Sequence, residues 1–294
     1  MKTSISSRRI AAGVLAVAAC GGAQTANSPA EKPSPTEKTA EGLRLYVFDC
    51  GTIDVPDVSA FHPEYGKGEK IVLAASCYLI MHPKGTLEWD AGLSDELLAV
   101  PEGKTTRIAT VRVTKGLAAQ YAEIGIAPDS VSFVGISHMH QDHVGNLNLF
   151  PRATVLMQKE EYEAAFSPDP TKYYFDPTTY PTLKANPVKK LEGDFDVFGD
   201  GSVVVKRAIG HTPGHQVLFV KLPKTGNIVL SGDLVHFQEN WEKRNVPGFN
   251  FDTQQSIRAM ADVDAFLKAN NATLWIQHDD PQNRTIKHAP AYYE

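Results

Sequence analysis

From residue 43 onward, short apolar runs alternate with polar gaps rich in glycine and proline, the pattern of a mixed strand-and-helix domain. Runs over 43–48, 71–81 and 86–89 predict strands. A helix is predicted over 118–124. The mostly apolar run 131–136 is too short for a helix and predicts a buried strand, ended by Ser137. A strand over 154–157 and a helix over 159–166 follow, then strands over 203–208, 217–222 and 228–230. The clearest helix covers 252–270. Asp252 can cap it, and Gln255 stands where a capping box places its partner. Ile257, Met260, Val263, Phe266 and Leu267 recur near the helical period and predict its core-facing stripe. A strand over 273–276 closes the series. No 20–50-residue repeat is present, which excludes a solenoid. Segment 173–180 breaks the pattern with four aromatics; it reads either as a packed Ω-loop or as an apolar wall for a bound group.

The first forty residues read differently. Lys2, Arg8 and Arg9 precede an apolar run over 10–19, which is too short to span a bilayer and reads as a secretion signal. Val17-Ala-Ala-Cys20 resembles a bacterial lipobox, which implies cleavage before Cys20 and lipidation there. Gly21 follows, so the aspartate that would retain such a protein at the inner membrane is absent. The expectation is an outer-membrane lipoprotein facing the periplasm, touching the membrane only through that N-terminal lipid. Ordinary cleavage to a soluble periplasmic protein is the alternative. Residues up to 42 are rich in Pro, Ser, Thr, Glu and Lys and cannot bury enough apolar surface to order themselves. The expected layout is a signal over 1–19, a flexible tether over 20–42 and one catalytic domain over 43–294. Net charge is −5, and removing the signal takes it to −8. No basic cluster lies beyond the N-terminus, so no nucleic-acid partner is expected.

The chemistry concentrates in residues 138–143, His-Met-His-Gln-Asp-His. Residues i and i+2 of an extended segment point the same way, so His138 and His140 can reach one ion from one side. Asp142 and His143 follow once the chain turns, and can face a second ion beside the first. Imidazole and carboxylate suit zinc, iron, manganese or cobalt, and three such ligands around zinc leave a place for water, the catalytic pattern. No cysteine lies near, which argues against a closed structural site.

With this motif stand four others in order: Glu88-Trp-Asp-Ala-Gly92, Gly210-His-Thr-Pro-Gly-His-Gln216, Ser231-Gly-Asp233 and Gln277-His-Asp279. Together they resemble the metallo-β-lactamase superfamily, and within it the N-acyl-homoserine lactonases, from about residue 43 to the end. The resemblance implies an α/β fold, a four-layer αββα sandwich of two mixed β-sheets with metals at one edge. It implies two divalent metal ions, zinc first, with manganese, cobalt or iron as alternatives. His138, His140 and His211 would hold one ion, Asp142, His143 and His278 the other, and Asp233 would bridge them. Asp90 and His215 would support these ligands through hydrogen bonds. His62, His82 and His288 lie in no motif and read as surface or packing histidines.

The reaction so implied is hydrolysis of a small-molecule lactone or ester. Hydroxide shared by the two metals attacks the carbonyl, one metal and His236 receive charge on its oxygen, and Asp142 passes a proton to the leaving alkoxide. His236 stands where the lactonases resembled carry a tyrosine, and Gln141 where they often carry an aromatic residue. Both departures touch the substrate side. Another superfamily hydrolase, acting on aryl esters, organophosphates, thioesters or β-lactams, is therefore the alternative, although Asp233 with Asp142 points away from typical β-lactamases. An iron-dependent oxidoreductase and a non-catalytic binding lipoprotein are weaker readings, the last because all seven ligands are present. Cys50 and Cys77 sit in neighbouring predicted strands, where an oxidising compartment permits a disulfide. Related lactonases carry a cysteine in a similar Cys-Tyr-Leu context, so Cys77 reads equally as a packing residue. The oligomeric state is left open.

Overall fold

A computed structural model describes residues 42–106 and 108–294. The expected signal, Cys20 and the tether up to residue 41 lie outside the described residues. The first sheet contains β1 (Arg44–Val55), β2 (Ile71–His82), β3 (Gly85–Trp89), β4 (Lys104–Thr105), β5 (Thr110–Arg112), β6 (Phe133–Gly135), β7 (Thr154–Gln158) and β8 (Val188–Leu191). Their spatial order is β4-β5-β1-β2-β3-β6-β7-β8. The second contains β9 (Phe195–Asp196), β10 (Val203–Arg207), β11 (Gln216–Leu222), β12 (Gly226–Leu230) and β13 (Ala272–Trp275), in the order β13-β12-β11-β10-β9. A last strand, β14 (Tyr292–Tyr293), returns to pair with β1. Both sheets are mixed: β3, β6, β7 and β8 run parallel, as do β12 and β13, and the other pairs are antiparallel.

Strand alternation builds the layers. In β11, Leu218, Val220 and Leu222 face the space between the sheets, while Val217 and Phe219 face outward. The inter-sheet core joins them to Leu45, Val47, Tyr78, Ile80 and Trp89 of the first sheet. Helix Leu117–Glu123, the short helix Gln141–Val144 and helix Lys159–Ala165 cover the outer face of the first sheet. Helix Thr253–Ala269 covers that of the second. The result is the expected αββα sandwich. Each fully buried aliphatic or aromatic side chain here contributes about 1.5–3 kcal/mol.

The long helix corrects one expectation. Asp252 caps it, accepting from the Gln255 amide at 2.9 Å, and Met260, Val263 and Leu267 are buried. Ile257, assigned to the same stripe, is 39% exposed. Ser256, Ala259, Met260, Val263 and Leu267 share a face at 3.6 residues per turn, and Ile257 stands one residue, about 100°, off it. Ser256 takes the place by hydrogen-bonding the Asp252 carbonyl.

Cys50 and Cys77 form a disulfide joining β1 to β2. The turn after β3 packs on it: a Cβ on Gly92, whose φ is +58°, would lie 2.3 Å from the Cys50 Cβ. Only glycine fits both that space and that conformation.

Glu88 is one of the polar side chains buried beneath the helix layer. It is fully buried and accepts from the Tyr121 hydroxyl at 2.6 Å. Burial pushes its carboxyl well above the usual range. Such a group leaves stability intact below the ordinary carboxylate pKa and withdraws it as pH rises towards the raised value. Glu88→Gln removes that titration. Urea unfolding of both proteins from pH 5 to pH 8 is expected to show the variant gaining steadily on the wild type as pH rises; a pH-independent difference would contradict this origin.

Candidate metal centre

Parallel strands deliver the polar side chains to one crevice. The residues follow the C-terminal ends of β3 (Asp90), β6 (His138, His140, Asp142, His143), β10 (His211), β12 (Asp233, His236) and β13 (His278). Two of the turns need special backbone. Gly232, with φ +48°, lets the chain pass close to Ser137 and the His215 ring before Asp233. Asp90 is itself in the left-handed region, φ +58°, an unusual state for a non-glycine residue.

The seven candidate ligands fall into two adjoining groups. His138, His140, His211 and Asp233 form one, and Asp142, His143 and His278 the other; within each, the ligand atoms lie within 4.8 Å of one another. Asp233 faces both. Its Oδ2 is 3.6 Å from His138 Nε2 and 3.2 Å from His211 Nε2. Its Oδ1 is 3.2 Å from His143 Nε2 and 2.9 Å from His278 Nε2. Asp142 Oδ2 approaches His278 Nε2 at 3.5 Å and His143 Nε2 at 3.7 Å.

The outward nitrogens fix what the inward ones can do. His140 Nε2 meets the Tyr173 carbonyl at 3.0 Å, and His278 Nδ1 the Ala74 carbonyl at 2.6 Å. His143 Nδ1 meets the Asp90 carboxylate at 2.9 Å, and His211 Nδ1 the Asn250 side-chain oxygen at 3.0 Å. Carbonyl and carboxylate oxygens only accept, so the proton of each neutral ring sits on the outer nitrogen. The inner nitrogens are then bare lone pairs, crowded with two carboxylates. His140 Nδ1 lies 2.9 Å from His138 Nε2 and 3.1 Å from His211 Nε2. His143 Nε2 and Asp233 Oδ1 are buried with no hydrogen-bond partner among the described residues. Acceptors converging without donors fit divalent cations, and the nitrogen–oxygen set suits zinc and its neighbours.

Proton affinities divide the cluster. Burial pushes His138 well below the usual histidine range and His140 down to about 3. Burial opposes charge on His143 too, yet Asp233, Asp142 and Asp90 carry it well above that range. The Asp233 carboxyl is held well below its ordinary value against its burial by His278, His143 and His138.

The supporting residues are tightly placed. Asp90 accepts from the Ser137 amide at 2.7 Å, the Ser137 hydroxyl at 2.8 Å and Gln277 Nε2 at 3.0 Å, besides holding His143. His215 touches no ligand side chain through a hydrogen bond. Its Nδ1 donates to the Ala208 carbonyl at 2.9 Å and its Nε2 accepts from the Asp233 amide at 2.9 Å, so it positions the bridging residue's backbone. None of His62, His82 and His288 joins the cluster; His82 stacks on Phe198 at 4.2 Å and meets Asp200 at 3.0 Å. Asn250 and Glu161 were not legible as site residues. Gln277 had only its place beside His278 to mark it.

A cavity of about 290 Å³ opens on the cluster. His140, Asp142, His211, Asp233 and His236 form its floor, and Ile53, Val55, Phe61, Leu73, Ala109, Tyr174 and Phe249 its walls. His236 places Nε2 3.2 Å from Asp233 Oδ2 and its ring against Phe61 at 4.8 Å. The aromatic loop divides between its two readings. Phe175 and Tyr180 are core, at 1% and 2% exposure, whereas Tyr174 lines the cavity. Gln141 lines it as well, and also borders a polar hollow of about 390 Å³ on its other side.

The model of the family described as "Metallo-beta-lactamase superfamily" matches residues 71–274. The chain belongs to the metallo-beta-lactamase superfamily. It is 31% identical over 261 residues to the N-acyl homoserine lactonase AttM of Azorhizobium caulinodans, covering 86% of this chain and 99% of that one. The N-acyl homoserine lactonase AiiA of Bacillus thuringiensis subsp. kurstaki is 26% identical over 262 residues, 85% of this chain and 98% of that one. Among solved structures, an N-acyl homoserine lactone hydrolase with N-hexanoyl-L-homoserine at its metal centre superposes with a TM-score of 0.75 at 24% identity, over 87% of this chain and all of that one. Superfamily membership agrees with the sandwich and with the edge position of the cluster.

Metal content separates the bridging residue from the rest. The wild type is expected to retain two equivalents of divalent metal per chain after dialysis, Asp233→Ala fewer than one, and His82→Ala two, measured by plasma mass spectrometry. Equal retention by Asp233→Ala would contradict the bridging geometry.

Proposed function

We propose that the protein is a dimetal hydrolase that opens lactone rings, with N-acyl-homoserine lactones as the first substrate class. One observation carries the reading: five histidines and two aspartates converge at the base of a cavity with apolar walls, where His140, Asp142, His211 and Asp233 form its floor. The names of the relatives aligned over nearly their whole length support it. His138, His140 and His211 would hold one ion, Asp142, His143 and His278 the other, and Asp233 both, with zinc the first choice. Two such ions lower the proton affinity of a water and polarise a carbonyl, which is what ester hydrolysis needs near neutral pH.

The chain's own residues do the rest. Apolar walls take the acyl group and exclude water from the floor. Asp142, with 16% of its side chain exposed at that floor, is placed to carry a proton to the alkoxide released when the acyl C–O bond breaks. Burial keeps His236 below the usual histidine range, hence neutral, with one N–H to offer. That N–H lies beside Asp233, where a substrate carbonyl oxygen would arrive. Gln141 and His236 favour a second reading on the same centre, an aryl ester or organophosphate substrate, because both change the substrate-facing surface and neither changes the cluster.

The leader adds a location: export, with a lipid on Cys20 anchoring the domain at the periplasmic side of the outer membrane. Mass spectrometry of membrane-extracted protein is expected to find a diacylglyceryl group on an N-terminal Cys20; an unlipidated N-terminus beyond it would overturn the anchor.

The activity test uses protein reconstituted with zinc, manganese, cobalt or iron and a panel of short- and long-chain acyl-homoserine lactones, a γ-lactone and an aryl ester. Metal-dependent ring opening is expected, lost in His138→Ala. Aryl-ester cleavage alone would transfer the assignment to the second reading. Asp142→Asn is expected to lower kcat by about 100-fold or more, with a smaller change in KM. Phe249→Ala is expected to change the ratio of long- to short-chain turnover, and an equal loss on every substrate would count against an acyl wall.

A further inference from the structure

Glu161 is a fully buried carboxylate that the proposed reaction does not use. It lies on the helix Lys159–Ala165, behind the cluster. Its Oε1 accepts from the Met139 amide at 2.8 Å, and its Oε2 from the Gly214 amide at 2.8 Å. Met139 separates His138 from His140 on the loop leaving the first sheet. Gly214 belongs to the loop that carries His211 and His215 into the second sheet. The contact is close: a Cβ on Gly214 would lie 2.4 Å from the Glu161 amide nitrogen. One side chain thus clasps two loops from different sheets, and each loop carries ligands of the same group. No such bond from Glu161 reaches Asp142, His143 or His278.

Resting on the metal-binding reading of the cluster, we propose that Glu161 is a positioning residue that sets the register of the two ligand loops, and so the affinity of the His138–His140–His211 site alone. A carboxylate is suited to this. It offers two acceptor oxygens to two backbone donors, and bonds to an ionised acceptor are the stronger kind. Burial pushes its carboxyl up to about 7, against the Thr212 hydroxyl and these two amides, which favour the ionised form. Glu161→Gln keeps the shape but aims an amide N–H₂ at one of them, leaving a donor against a donor.

The test is a cobalt titration of the full chain at pH 8, followed by visible spectra and chelator competition, with His138→Ala and His278→Ala as single-site references. Glu161→Gln is expected to weaken the site containing His138 by about tenfold or more, as outer partners of metal ligands do, and to leave the His278 site unchanged. At limiting cobalt its spectrum should then resemble that of His138→Ala. Glu163→Gln, an exposed change on the same helix, should match the wild type. Parallel weakening of both sites together with the thermal midpoint would make Glu161 merely structural and overturn the proposal, as would unchanged affinities. Should Glu161→Gln fail to fold, Gly214→Ala displaces the same carboxylate by another route and is expected to give the same one-site loss. A wild type that binds no cobalt would instead remove the metal reading on which the proposal rests.

Discussion

The structure turns on the mutual repulsion of the groups gathered around Asp233. The imidazoles of His140, His143, His211 and His278, bonded on their outer nitrogens, turn their inner ones towards His138 and two carboxylates, with the His236 ring beside Asp233. Left to themselves these atoms would separate. The rings are held on their far sides, His138 by the Ser137 hydroxyl and the others by a backbone carbonyl, a carboxylate or an amide oxygen. The surrounding sandwich keeps those outer acceptors in place, and the repulsion becomes affinity for cations.

This explains why the polar cluster sits where the apolar layers end. Within the sandwich, alternating strand residues fill three apolar layers. At the C-terminal ends of β3, β6, β10, β12 and β13 the alternation stops and the loops bring in polar groups. The outward-facing polar atoms there have partners, whereas His143 Nε2 and Asp233 Oδ1, which have none, face the cluster. Asp90 is the densest case, serving Ser137, His143 and Gln277 at once.

Much of this was legible in the sequence. The short apolar runs marked the main strands, and the ordered blocks marked the histidines and Asp233 that the fold brings together. What failed to show has physical causes. Ile257 was placed in the core because spacing alone does not say which side of a broad stripe meets the sheet. Glu161 sits among Glu160 and Glu163 in a run that looks like a solvated helix face, and only tertiary packing buries it. Asn250 acts through a loop with no periodicity. His215 was expected to support the ligands, but its bond to the Asp233 backbone depends on a turn that no spacing specifies.

The order in which the chain supplies its ligands has a consequence for synthesis. The first group spans residues 138 to 233, and the second spans 142 to 278. No contiguous fragment shorter than these spans contains either group. The final ligand, His278, stands on the loop after β13, a strand that must first pair with β12. A nascent chain emerging from a ribosome or an export channel therefore cannot complete the second group until His278 has emerged and β13 has paired, so the two sites come together late. If the leader directs export as proposed, the ions come from the compartment in which folding ends, not from the one in which translation begins.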